Sequence, residues 1–143
     1  SLDPEGLRIF LAGSGASRPI PFDTPAETVL TALAASSLGA PDEQGSNPEC
    51  AAEYASWDGN FTVWFSDDRF IGWFLRDDPA ITTPAGIGIG STRAELEAAH
   101  QAEVMDSSLG VEFYSGGLAG LLSSAAPDGT IEALWSGMAC IAR

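Results

Sequence analysis

The chain contains no lysine, and its six basic residues, Arg8, Arg18, Arg69, Arg76, Arg93 and Arg143, are scattered along 143 positions. Against them stand 20 acidic residues, for a net charge of −14. A nucleic-acid partner requires a basic patch that displaces counterions from phosphates, and no such cluster exists, so nucleic-acid binding is excluded. Anionic membrane surfaces are disfavoured on the same ground. Histidine occurs once, at His100, and cysteine twice, at Cys50 and Cys140. Neither cysteine has a second Cys or His at zinc-ligand spacing, so no metal or cofactor is expected. No apolar run approaches the roughly 18 residues that span a bilayer. The longest mostly uncharged stretch, Gly116 to Pro127, is short and rich in Gly and Ser.

What is present is a globular composition, 45% hydrophobic and 18% charged. The length suits one domain with a real core. Two isolated cysteines far apart in an acidic, Gly/Ser/Ala-rich chain suggest one long-range disulfide, the alternative being two buried thiols. A disulfide implies an extracytoplasmic setting: periplasmic, secreted, or lipid-anchored through a removed N-terminal segment.

Three correspondences recur in the same order in each half. Asp3-Pro4-Glu5-Gly6-Leu7 resembles Thr83-Pro84-Ala85-Gly86-Ile87, followed by the strand-like Arg8-Ile9-Phe10-Leu11 and Gly88-Ile89. Thr24-Pro25-Ala26-Glu27 resembles Thr92-Arg93-Ala94-Glu95, and both read as capping boxes. Phe65 to Phe74 resembles Tyr114 to Leu122. The expectation is an α+β fold: one domain over 1–143 made of two repeats, about 1–78 and 79–143. Each repeat is a helix followed by antiparallel strands, with the helices on one face of the sheet. Chance similarity in a biased composition is the alternative. Helices are expected over Pro25–Ser37 and from Arg93 to about Ala102, with Gly39 to Pro48 a loop. Strands are expected from Ala51 to Trp57 and Thr130 to Trp135.

The clearest strands are Phe61–Ser66 and Arg69–Leu75 about an Asp67-Asp68 turn. Strict alternation puts Phe61, Val63, Phe65, Phe70, Gly72 and Phe74 on the core face. It puts Thr62, Trp64, Ser66, Arg69, Ile71 and Trp73 on the other. In the second hairpin, Val111, Phe113, Leu118, Gly120 and Leu122 face in, and Glu112, Tyr114 and Leu121 face out. Ile131, Ala133 and Trp135 are expected on one face of the last strand. Trp64, Arg69, Ile71, Trp73 and Tyr114 thereby form a candidate binding face, because aromatics beside an arginine are what interface hot spots are made of. The alternative is that this face is also buried.

No catalytic constellation stands out. No G-x-S-x-G elbow occurs, and His100 lies on an expected helix away from any nucleophile motif. Asp67-Asp68 and Asp77-Asp78 are adjacent carboxylates, which on strand or turn backbone do not converge on one ligand, so turn chemistry is the simpler reading. The glycines from Gly86 to Ser91 fit neither phosphate-loop pattern.

The Pro-x-Gly-apolar openers, the Thr-started helices, the strand ending in Trp57 and the closing Gly137-Met138-Ala139-Cys140 together resemble secreted and lipoprotein domains of bacteria with high-GC genomes. The expected architecture is also similar to that of the beta-lactamase inhibitor protein family. That resemblance implies a tandem helix-plus-sheet repeat with an aromatic, partner-binding sheet face. The chain departs from that family in having two cysteines rather than a disulfide within each repeat. The expected function is a non-enzymatic module binding a protein or peptide. A hydrolase using carboxylates and a structural cell-envelope domain are the alternatives.

Overall fold

The computed structural model describes residues 1–10 and 16–141. Leu11, at the end of the first strand-like stretch, and Arg143 lie outside them. The described chain is dominated by antiparallel sheet. A small sheet of three strands contains β1 (Leu2–Asp3), β2 (Gly6–Phe10) and β3 (Ser17–Pro21). A large sheet holds β4 (Glu43–Asn47), β5 (Ala52–Trp57), β6 (Phe61–Ser66), β7 (Arg69–Arg76), β8 (Glu103–Ser107), β9 (Gly110–Ser115), β10 (Leu118–Leu122) and β11 (Ile131–Gly137). Its order is β4-β5-β6-β7-β11-β10-β9-β8, so two meanders meet where β7 pairs with β11. Among the described residues, helices are confined to α1 (Ala26–Ala34) and α2 (Arg93–Ala99).

This corrects the expected tandem repeat of helix and strands. The first opener lies at the β1–β2 hairpin, within a separate sheet. Its supposed counterpart at Thr83–Gly86 is a turn, flanked by an isolated bridge between Thr82 and Gly88. Gly39 to Pro48 is not simply a loop, since it contains β4, paired with β5.

The two helix starts also differ physically. At α2, Thr92 Oγ1 accepts from the Glu95 amide at 3.1 Å, and the Glu95 carboxylate accepts from the Thr92 amide at 3.0 Å. That capping box forms as expected. At α1 it does not: Thr24 Oγ1 instead donates to the Pro21 carbonyl at 2.7 Å, and Pro25 takes the cap position with no side-chain cap bond. Thr92→Ala is therefore expected to cost about 1 kcal/mol. Thr24→Ala should cost less, and urea midpoints of the two variants check the difference.

The main core lies between the large sheet and a layer made of the small sheet and the helices. Phe61, Val63, Phe65, Phe70, Trp73, Leu75 and Phe113 meet Leu2, Leu7, Ile20, Val29, Leu33 and Leu96 there. The Asp67-Asp68 turn forms as expected, with φ of 50° and 62°. Both central residues are left-handed, as a type I′ hairpin turn requires.

Strict alternation fails at two points. Phe65 pairs with Phe70 but Trp64 pairs with Gly72, leaving Ile71 as an extra residue. Likewise Leu122 pairs with Ile131 but Leu121 with Ala133, leaving Glu132 extra. A bulge inserts one residue and reverses the faces of everything beyond it. Hence Trp73 is fully buried in the main core, where its Nε1 donates to the Asp3 carbonyl at 3.1 Å. Phe74 turns to the opposite side, and Ile131 no longer shares a face with Ala133 and Trp135.

Candidate functional site

The large sheet has a second face, away from the helices and the small sheet. Directly opposed residues of antiparallel strands share a face, so the register defines what is displayed. One row runs Glu43, Ser56, Thr62, Phe74, Trp135, Ala119, Tyr114, Glu103. The next runs Arg76, Ala133, Leu121, Glu112, Met105. A shorter row holds Gly45, Tyr54, Trp64, Gly72 and Gly137.

The centre is an apolar cluster of Trp135, Ala119, Ala133 and Ala139, with Trp64, Phe74, Leu109, Leu121 and Ile141 packed against it. Phe74 and Trp135 stack at 6.0 Å with an interplanar angle of 16°. Tyr54 and Trp64 meet at 5.3 Å, tilted by 54°. The indole N–H of Trp64 is buried and has no acceptor among the described residues.

One segment crosses this face. After β11, Gly137 adopts φ 67° and the chain turns over Gly72, whose α-carbon leaves no room for a side chain beneath the Met138 backbone. The Met138 amide donates to the Ile71 carbonyl at 2.9 Å. Ala139 is then buried, and Cys140 bonds to Cys50 with their α-carbons 5.8 Å apart. The expected disulfide is thus present, joining the crossing segment to the turn between β4 and β5.

Acidic groups mark the same face. Glu112 is fully buried, and its carboxylate accepts from Ser107 Oγ at 3.0 Å and from the Tyr114 hydroxyl. These bonds offset the cost of burying a carboxylate. Glu43 accepts from the Tyr54 hydroxyl at 2.7 Å. That hydrogen bond, with smaller effects of burial and of the Glu43 charge, raises the Tyr54 pKa above the ordinary phenol value. The burial of Glu112 could not be read from the sequence, where it occupies an ordinary outward position.

The structure does not bring the five expected site residues together. Trp64 and Tyr114 lie on this face. Trp73 points into the main core on the other side, and Ile71 sits at the bulge. Arg69 lies at the start of β7, donating to the Asp23 carbonyl at 3.3 Å. Strict alternation missed Phe74 and Trp135, which only the two bulges place here.

Elsewhere, Asp67, Asp68 and Asp77 all have positive φ and serve as turn residues. His100 caps the C-terminus of α2. Among the described residues no group of three or more His, Cys, Asp or Glu converges as a metal site would require. No helix among them is long and apolar enough to cross a membrane. In comparisons with known proteins, no family model, no curated protein and no solved structure matches the chain.

Proposed function

We propose that this chain is a non-enzymatic, extracytoplasmic binding module whose aromatic sheet face receives a protein or peptide partner rich in cationic and apolar side chains. The observation that carries this reading is where the exposed large apolar groups fall. Among the described residues these are Met105, Tyr114 and Met138, 43%, 37% and 57% exposed. Met105 and Tyr114 stand on the open face, and Met138 lies in the segment crossing it. Isolated exposed apolar residues need no explanation, but a grouped set around stacked aromatics matches an interface core.

Charge narrows the partner. Glu43 and Glu103 end the longest row of this face, the next holds the buried Glu112 with Arg76 at its end, and the whole chain carries −14. Cationic side chains would be steered toward it and could rest over aromatic rings. The disulfide supports the oxidising setting.

A defined peptide pair tests this. A peptide alternating Arg and Leu should change the tryptophan emission saturably, because Trp64 and Trp135 lie on the face. Its Glu–Leu counterpart should bind at least about tenfold more weakly. The double variant Met105→Ala with Met138→Ala, at exposed positions, should lower the affinity for the Arg–Leu peptide by about tenfold. Equal binding of the two peptides, or unchanged affinity of the double variant, would reject the reading.

A further inference from the structure

A groove on the opposite side of the sheet carries the reverse charge from the rest of the chain. It encloses about 710 Å³ between the C-terminal part of α1, hairpin β2–β3 and the segment from Ala80 to Pro84. That size falls within the usual range of small-molecule sites, about 300–1,000 Å³. Its apolar wall is made by Leu33, Leu38, Phe61 and Ile81.

The hairpin supplies the other wall, and its register explains how. Leu7 pairs with Ile20 and Ile9 with Arg18, so these four residues share one face. Leu7 and Ile20 are buried, Ile9 is half-buried and Arg18 is exposed. The core-facing side of the hairpin therefore leaves the core at Ile9 and Arg18 and continues beside the groove. An inward-facing position held by arginine is unusual for a face that is otherwise apolar.

Of the six arginines, Arg18 lies on the groove-facing side of the hairpin and Arg8, opposite Pro19, on its other side, while none of the groove's described lining residues is Asp or Glu in a chain with 20 of them. Arg8 donates to Ser17 Oγ at 3.0 Å. The ion pair found among the described residues is elsewhere, between Arg93 and Glu97. The contrast with the second groove, between α1 and β4–β5, is direct, since that one is lined by Glu27, Glu53 and Asp68.

We propose that this groove is a ligand site for a medium-chain monocarboxylate, with its aliphatic tail against Leu33, Phe61 and Ile81 and its carboxylate on the Arg18 guanidinium. A guanidinium presents paired N–H donors that match a carboxylate edge to edge. An apolar wall with one cation at its rim selects that combination over an alcohol, which lacks the charge, and over an alkylammonium, which reverses it. The site is separate from the aromatic face, so either can fail without the other.

Decanoate, held below its aggregation concentration, is the probe. Titration calorimetry on the whole chain should show saturable one-to-one binding. Methyl NMR shifts should concentrate at Ile9, Leu33 and Ile81 rather than at Leu109, Leu121 and Ile141 on the other face. Arg18→Gln should weaken binding about tenfold and Arg18→Glu more, in keeping with loss of a charged hydrogen-bond pair. Because Arg18 is exposed, near-UV circular dichroism of both variants should match the parent. Decan-1-ol and decyltrimethylammonium should bind at least about tenfold more weakly than decanoate. No saturable decanoate binding, equal affinity for the alcohol or the ammonium, unchanged affinity in Arg18→Glu, or shifts centred on the aromatic face would each overturn the proposal.

Discussion

Trp73→Ala should be among the most destabilising single substitutions in this chain, costing about 3–5 kcal/mol. The indole is fully buried among the residues of the main core. Its removal opens a cavity and leaves the Asp3 carbonyl without the N–H it accepts. That bond ties the end of β1 to β7, so the small sheet should loosen with it. Trp64→Ala should cost markedly less, because Trp64 is only half-buried and its N–H has no acceptor to lose among the described residues. The comparison is sharp because a regular hairpin would place both tryptophans on one outward face and predict similar, modest losses. Urea midpoints of the two variants decide between the registers. Equal midpoints would mean that Trp73 is not the core residue that the bulge at Ile71 makes it.

That bulge also shows what was legible in the sequence and what was not. The turn at Asp67-Asp68, the first arm Phe61–Ser66 and the alternation along that arm were readable, because side-chain period and turn chemistry are local. The extra residue at Ile71 leaves no local mark, yet it exchanges Trp73 and Phe74 between faces. Glu132 does the same on β11, bringing Trp135 beside Phe74. The aromatic character of the open face was therefore foreseen while most of its membership was not.

Strand β4 escaped notice for a different reason. Glu43-Gln44-Gly45-Ser46 is exposed throughout, so no buried alternation is available to signal it. The small sheet was partly hidden by Pro19 and Pro21 in β3, residues that an edge strand tolerates and a central strand does not. The helix-start resemblance between the halves misled for a chemical reason. The same Thr-x-x-Glu spacing closes a capping box at Thr92 but at Thr24 gives its hydroxyl to the Pro21 carbonyl. The cysteine pair was legible because composition and isolation favour a disulfide over two buried thiols without any knowledge of the strands between.

Removing that disulfide, by reduction or by Cys50→Ala with Cys140→Ala, should lower stability by about 2–5 kcal/mol. The bond closes a 90-residue separation. In the chain-entropy account, a loop of that length restricts the unfolded chain by about 4–5 kcal/mol. The expected signature is a lower urea midpoint together with a larger denaturant slope, since a chain without the cross-link exposes more surface on unfolding. The native state should change locally as well. The segment 138–141 is held over the open face by the Met138–Ile71 hydrogen bond, by the packing of Ala139 and Ile141, and by Cys140 itself. Without the bond it should open more readily than the rest of the fold. Tryptophan emission should then shift to the red before global unfolding, as Trp64 and Trp135 lose their cover. Amide exchange should accelerate at Met138 while the β6–β7 ladder stays protected. Two thiols titrating in the denatured, unreduced protein would remove the cross-link from the argument. A midpoint unmoved by reductant would show that the crossing segment is held by packing alone.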